Sequence, residues 1–395
     1  MSGMLEDSLR EMLAARVETL PVADDIATRV IQRGRAARRR RAVASLLGVS
    51  AALILVVGGV ASLGIVWPGG SPRVTNVAGF DADAVAPESA APVPTPGVDT
   101  GVGLDIRSGE QLLTADGRRL DLGGVGEVTR VYRVPAGWIY AGVDQVRLLR
   151  TDGTSLALSG EDGRWVLSAD GRRFAFQLGT TLYVASITST GMAVVKDVPV
   201  PADSWPVVLT ADRVVVSVAE RGYGVVDLTD PAPPTLNADV TAVYGVRGDR
   251  LLGLVRSPRG QADCLAELTG VGGALVPVRR GACDFQRTPT TLRVGYTSTT
   301  DGLAPDGRRL AAWRAGGITV VDIASALTGS TRAVECAGQA LVAPVWADSR
   351  TLVTGDASTV IRCTVDGTEQ TVPLPEGIGE DWQLVPRLLA EASGQ

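Results

Sequence analysis

The 395-residue sequence has no histidine and a single lysine, Lys196. The missing histidine excludes Ser-His-Asp and Cys-His catalysis and every histidine-ligated zinc or copper site. It also removes the side chain whose charge changes near neutral pH. Lys196 lies in VVKDVPVPAD (Val194–Asp203), which reads as an exposed sheet edge, so a Ser-Lys nucleophile has little to stand on. The sequence lacks an Asp-x-Asp-x-Asp-Gly calcium loop and a phosphate-binding glycine loop, and no cofactor or metal is expected. Paired carboxylates such as Glu161-Asp162 and Glu380-Asp381 stand among glycines and read as solvated turns. Pairs of this kind are what a carboxylate-dependent glycosidase or lyase, the third function considered, would use.

One long stretch lacks charge. Ala42–Trp67, 26 residues, carries none, and Arg38, Arg39, Arg40 and Arg41 stand directly before it. As a helix it would be ~39 Å long, against a hydrocarbon core of ~30 Å. Arg33, Arg35 and the Arg38–Arg41 run crowd its N-terminal side, while Arg73 is the only basic residue between it and Arg107. Positive charge at one end puts the N-terminus in the cytoplasm and the C-terminal domain outside the membrane. A cleaved signal peptide is the rival, but the run is too long for one and ends at Trp67-Pro68 without a small-x-small site. A buried soluble helix fits poorly, since the stretch is apolar on every face. The expected organisation is a cytoplasmic helical segment (1–41), a transmembrane helix (42–67), a linker (68–103) and an extracytoplasmic domain (104–395).

Residues 1–41 carry a net charge of +3 and the remainder −8. The outer domain is thus mildly acidic with no basic stripe, which excludes nucleic acid as its partner. Its four cysteines, Cys264, Cys283, Cys336 and Cys363, show no CxxC spacing, so a four-cysteine zinc site is not expected. Outside the membrane an even number favours disulfides. Of three possible pairings, Cys264–Cys283 with Cys336–Cys363 is preferred, because each closes a short loop within neighbouring strands. Buried free thiols are the alternative.

Pro68–Gly103 is rich in Pro, Ala, Gly and Ser, a composition that cannot bury a core and suits an extended tether. Beyond it, short apolar runs alternate with turn residues, and similar units recur. Examples are SADGRRFAFQLGTTLYVASI (Ser168–Ile187), LTADRVVVSVAERGYGVVDL (Leu209–Leu228) and LAPDGRRLAAWRAGGITVVDI (Leu303–Ile323). The turn aspartates Asp170, Asp212, Asp249, Asp306 and Asp348 are 42, 37, 57 and 42 residues apart. Four short strands with their turns need ~40–45 residues, the period of a propeller blade. The long interval points to an insertion around Arg279–Thr300. Six units fit between Val128 and Pro375. A seventh could be assembled from both ends, with Gln111–Leu122 and Asp381–Leu389 supplying its strands. The fold expected is mainly β, a six- or seven-bladed β-propeller; a pair of β-sandwiches is the alternative.

The Asp-Gly-Arg-Arg-apolar-Ala turn and strand, followed by LYVASI or ITVVDI, resembles the blades of TolB-like and WD-repeat-like propellers across about residues 105–390. That resemblance implies a fold and says little of function. Six tryptophans lie in this region: Trp138, Trp165, Trp205, Trp313, Trp346 and Trp382. Core packing is their default, with one or two available to stack on a ligand at a mouth of the ring.

Before the membrane, Leu5, Leu9, Met12, Leu13, Val17 and Leu20 follow helical spacing, and Pro21 ends or bends that helix. The layout resembles actinobacterial single-span proteins encoded beside extracytoplasmic-function sigma factors. The zinc-binding His-x3-Cys-x2-Cys motif of one anti-sigma class does not occur in this sequence. The function expected is non-enzymatic: a membrane-anchored binding or scaffold propeller that engages an envelope protein or wall component. Its alternative is a transmembrane regulator whose residues 1–41 bind a cytoplasmic sigma factor.

Overall fold

The computed structural model describes residues 100–388, except 144, 160–163, 189–190, 260–261, 286–301, 315–316, 331 and 337–341. The expected cytoplasmic segment, the span, Arg33, Arg35, Arg38–Arg41 and the tether up to residue 99 lie outside the described residues. Among the described residues no helix is long and apolar enough to cross a membrane. The chain divides into two units, Met1–Ser71 and Pro72–Gln395, and the described residues all belong to the second.

Alternating apolar residues separated mostly by turns of two to five residues make antiparallel neighbours of successive strands. Arg173–Leu178 returns as Thr181–Thr188 through Gly179 and Thr180 alone, with Leu178 opposite Thr181. Gly179 sits at φ +57, where a side chain would be disfavoured. Seven such antiparallel meanders follow one another among the described residues, at 106–121, 130–159, 164–199, 204–227, 240–280, 302–335 and 342–373. The first is completed from the other end of the chain: Gln383–Leu384 pairs with Ile106–Ser108. The two ends of the described region therefore share one sheet, with strands in both Gln111–Leu122 and Asp381–Leu389.

Two meanders depart from four regular strands. The fourth has three, and the position outside Gly222–Asp227 is taken by PAPPTLN (Pro231–Asn237). Its prolines have no N–H to continue a ladder; Asn237 exchanges backbone bonds with Tyr223, and Gly224 pairs with Ala274 of the fifth meander. In the sixth the first strand is reduced to the Leu303–Leu310 bridge.

First strands of neighbouring meanders lie side by side and parallel, shown by the bridges Ser168–Leu209 and Arg133–Arg387. One sheet alone would leave both faces wet; the apolar faces are covered by the next sheet along. Seven buried clusters do this, and each joins consecutive meanders. Leu112 meets Trp138, Ile139 meets Phe174, Val184 meets Val216, and Val215 meets Val255. Leu254 meets Val321, and Val320 meets Leu352. Finally Val353 of the last meander meets Ile106 of the first. That cyclic order is a β-propeller and not a pair of sandwiches.

Cys264 pairs with Cys283 and Cys336 with Cys363. The first bridge stays within the fifth meander. The second does not close a loop inside one sheet: Cys336 follows the outer strand Ala333–Glu335 of the sixth meander, and Cys363 lies in Thr359–Thr364 of the seventh.

Candidate binding rim

Every first strand starts at one end of the ring and turns back at the other. The turn end carries the five predicted aspartates, one in each first hairpin of meanders three to seven. Asp170 accepts from Ser168 Oγ (2.5 Å) and the Arg172 amide (3.1 Å). Asp306 accepts from the Arg308 amide, and Asp348 from the amides of Arg350 and Thr351. Asp212 accepts from Thr210 Oγ1, and Asp249 lies 3.4 Å from Arg250 Nε. They cap turns spaced around the ring and converge nowhere. Gly171 shows why glycine follows Asp170: at φ +63, an added Cβ would stand 2.5 Å from the Leu388 carbonyl. Of the three Asp-Gly-Arg-Arg turns, Asp170–Arg173 and Asp306–Arg309 lie in first hairpins, whereas Asp116–Arg119 lies in the last hairpin of the first meander.

Other turn carboxylates work the same way. Asp116, Asp152, Asp227, Asp322, Asp356 and Asp366 are held below the usual carboxylate range, each chiefly by the hydroxyl or amide of a residue two or three positions away. For Asp170 burial pushes upward, but the Ser168 and Arg172 hydrogen bonds with the nearby arginines outweigh it. A depressed folded value contributes stability above the unfolded value near about 4 and loses it as pH falls through the folded one. With no histidine to titrate, the melting temperature is expected to be flat from about pH 5.5 to 8 and to drop below about pH 4. Calorimetry across that range checks it; a slope between about pH 6 and 7 would contradict it.

The chain enters the ring at this turn end, where the Thr100 amide donates to the Ala115 carbonyl. Beside it, buried Asp105 accepts from Arg133 Nη1 (3.1 Å), Trp138 Nε1 (2.7 Å) and the Ala115 amide (2.8 Å). Sequence reading missed this junction, since an aspartate in GLDIRSG carries no sign of burial.

The opposite end carries a ladder of arginine and tryptophan. Arg130, Arg164 and Trp205 sit at the starts of the first strands of meanders two, three and four. The Arg130 guanidinium lies 4.1 Å from the ring centre of buried Trp165 and 6.0 Å from that of Trp205. Arg164 lies 5.8 Å from Trp205 and donates through Nη1 to the carbonyls of Ala202 (2.7 Å) and Ser204 (2.9 Å). Trp138, Trp165, Trp346 and Trp382 are buried, while Trp205 is half-buried. So the core default holds for four tryptophans, Trp205 stands half-buried at the start of a first strand, and the Trp313 side chain lies outside the described residues. The only sequence sign of Arg130 and Arg164 was a charge opening an apolar strand. Close by, Glu220 occupies a left-handed turn (φ 63), a conformation costing about 1 kcal/mol outside glycine.

The remaining candidates are dispersed. Asp381 binds Ser108 Oγ and the Gly109 amide in the first sheet. Glu161 and Asp162 lie outside the described residues. Lys196 is on the outermost strand of the third meander, Gly191–Pro199, next to a register shift. Among the described residues no group of three or more acidic or cysteine side chains could hold a metal.

Strand order and cluster order together place this chain among the β-propellers. No described protein family matches it, and no curated protein is similar to it in sequence. Among solved structures it is similar to Sqt1 of Saccharomyces cerevisiae at 12% identity and a TM-score of 0.45, covering 74% of this chain and 88% of that one. A second is the β-propeller domain of Cps50 (Swd1) from Myceliophteria thermophila, at 11% identity and 0.34, covering 56% and 70%. A third is PorZ of Porphyromonas gingivalis, at 12% and 0.40, where 65% of this chain covers 34% of that one. The chain thus spans about a third of PorZ. The fold rests on the strands and clusters, not on these likenesses.

Proposed function

We propose that the chain is a single-pass membrane protein with a cytoplasmic N-terminus and an extracytoplasmic, seven-bladed β-propeller that binds an envelope partner without catalysing a reaction. Arg38–Arg41 before the uncharged Ala42–Trp67 support the anchor and its orientation. The two disulfides suit an oxidising compartment. One observation carries the binding reading: an arginine and tryptophan rim at the ring end opposite the point where the chain enters.

The test is affinity capture from detergent-solubilised membranes. It compares the full chain with Arg164→Glu and with a variant lacking residues 1–37. An envelope component retained without the leader but lost with Arg164→Glu supports the proposal. A cytoplasmic partner lost on truncation, above all a sigma factor, overturns it in favour of a transmembrane regulator.

A further inference from the structure

We infer that Pro231–Pro234, on the outer edge of the fourth meander, is a docking segment for a partner protein that holds polyproline in a groove lined by aromatic side chains. The inference goes beyond the rim and does not depend on it. Three prolines in four residues set the backbone here. Pro231, Pro233 and Pro234 each hold φ at about −65°. Each also drives the residue before it, Asp230, Ala232 and Pro233, toward extended ψ. Those angles describe a polyproline II helix, and residues 231–236 belong to no helix, strand or turn.

The segment is fixed at both ends. Before it, Asp227 Oδ1 accepts from the Thr229 amide (2.8 Å), the Thr229 hydroxyl (2.6 Å) and the Asp230 amide (3.3 Å). After it, the Thr235 amide donates to the Gly273 carbonyl (3.1 Å), and Asn237 exchanges backbone bonds with Tyr223. Pro234 lies against Gly224, where an added Cβ would stand 2.9 Å from it. Between these anchors Pro231, Ala232 and Pro233 are exposed. Among the described residues no group donates to the carbonyls of residues 231–234. One proline suffices to stop a ladder; the others add stiffness and exposed apolar rings. A preformed polyproline helix loses little entropy on binding, and aromatic grooves recognise it. Asp230, exposed directly before Pro231, matches a basic side chain at the border of that groove.

The experiment captures partners of the full chain from detergent extracts of whole cells and challenges them with the nonapeptide TDPAPPTLN, Thr229–Asn237 of this sequence. One captured protein is expected to be displaced. Purified, it should bind the nonapeptide with a change in its own tryptophan or tyrosine fluorescence, since the peptide has neither residue. Pro231→Ala, Pro233→Ala and Pro234→Ala together in the peptide, or Asp230→Lys alone, should weaken that binding about tenfold or more. In the full chain, Pro231→Ala with Pro233→Ala should weaken capture of the same protein to a similar degree, with unchanged circular dichroism. The peptides decide the matter if that double variant does not fold. Capture that the nonapeptide leaves untouched, or displacement indifferent to the prolines or to Asp230→Lys, overturns the inference. A partner lost with Arg164→Glu but not displaced by the nonapeptide removes this inference alone and leaves the proposed binding function standing.

Discussion

Asp105→Ala is expected to destabilise the propeller by about 3–5 kcal/mol, the cost of removing one partner from a buried charged pair. The carboxylate is fully buried and serves three donors from three places: the turn at Ala115, the first strand of the second meander through Arg133, and the next strand through Trp138. Its own carbonyl accepts from the Val385 amide, just past the closing strand. Alanine would leave an indole N–H and an amide without acceptors at the point where the two chain ends meet. Arg133 keeps some water access, with 29% of its side chain exposed, so the lower part of the range is the more fitting. Asp105→Asn retains one acceptor and should cost less. Urea titration of the three proteins measures this, and a loss under about 1 kcal/mol for alanine would mean that water replaces the carboxylate.

Removing the bridge between the sixth and seventh meanders, by Cys336→Ala with Cys363→Ala, should cost about 3–4 kcal/mol. The estimate follows from the loop it closes in the unfolded chain, with partners 27 residues apart. The bridge also ties two sheets that pack through side chains such as Val320 and Leu352. Both cysteines are buried, so a single substitution would leave a thiol in the core and confuse the comparison. The double variant is therefore compared with the oxidised parent by urea titration. Agreement within about 0.5 kcal/mol would show that packing holds the two sheets without the crosslink.

Much of this ring was legible because its turns repeat. An aspartate at the first-hairpin turn binds the amides behind it, so Asp170, Asp306 and Asp348 mark equivalent places without any knowledge of the whole. The sequence also offered, beside a six-unit ring, a seventh unit assembled from both ends, with QLLTADGRRLDL and DWQLVPRLL supplying its strands. Hidden from the sequence were features that depend on neighbours. Where Pro231–Asn237 takes an outer strand's place, Gly224 is paired with Ala274 of the next meander. Arg118-Arg119 copies the motif of Arg172-Arg173 but follows a different turn. The rim was illegible for the same reason: Arg130, Arg164 and Trp205 are 75 residues apart at their extremes, and only the parallel arrangement of first strands brings them together. Asp105 looked like any other surface acid.

The two-residue closing strand sets a timetable. A chain made from its N-terminus displays Ile106 long before Gln383, 277 positions further on, exists. At about 5–20 residues per second the wait is on the order of tens of seconds. Throughout it, Val102, Leu104 and Ile106 lack Trp382 and Leu384, which later cover them. The nascent domain is an open arc with an unfinished sheet at its leading edge. The first sheet is complete only when Gln383–Leu384 arrives, which makes that short strand the last step in closing it.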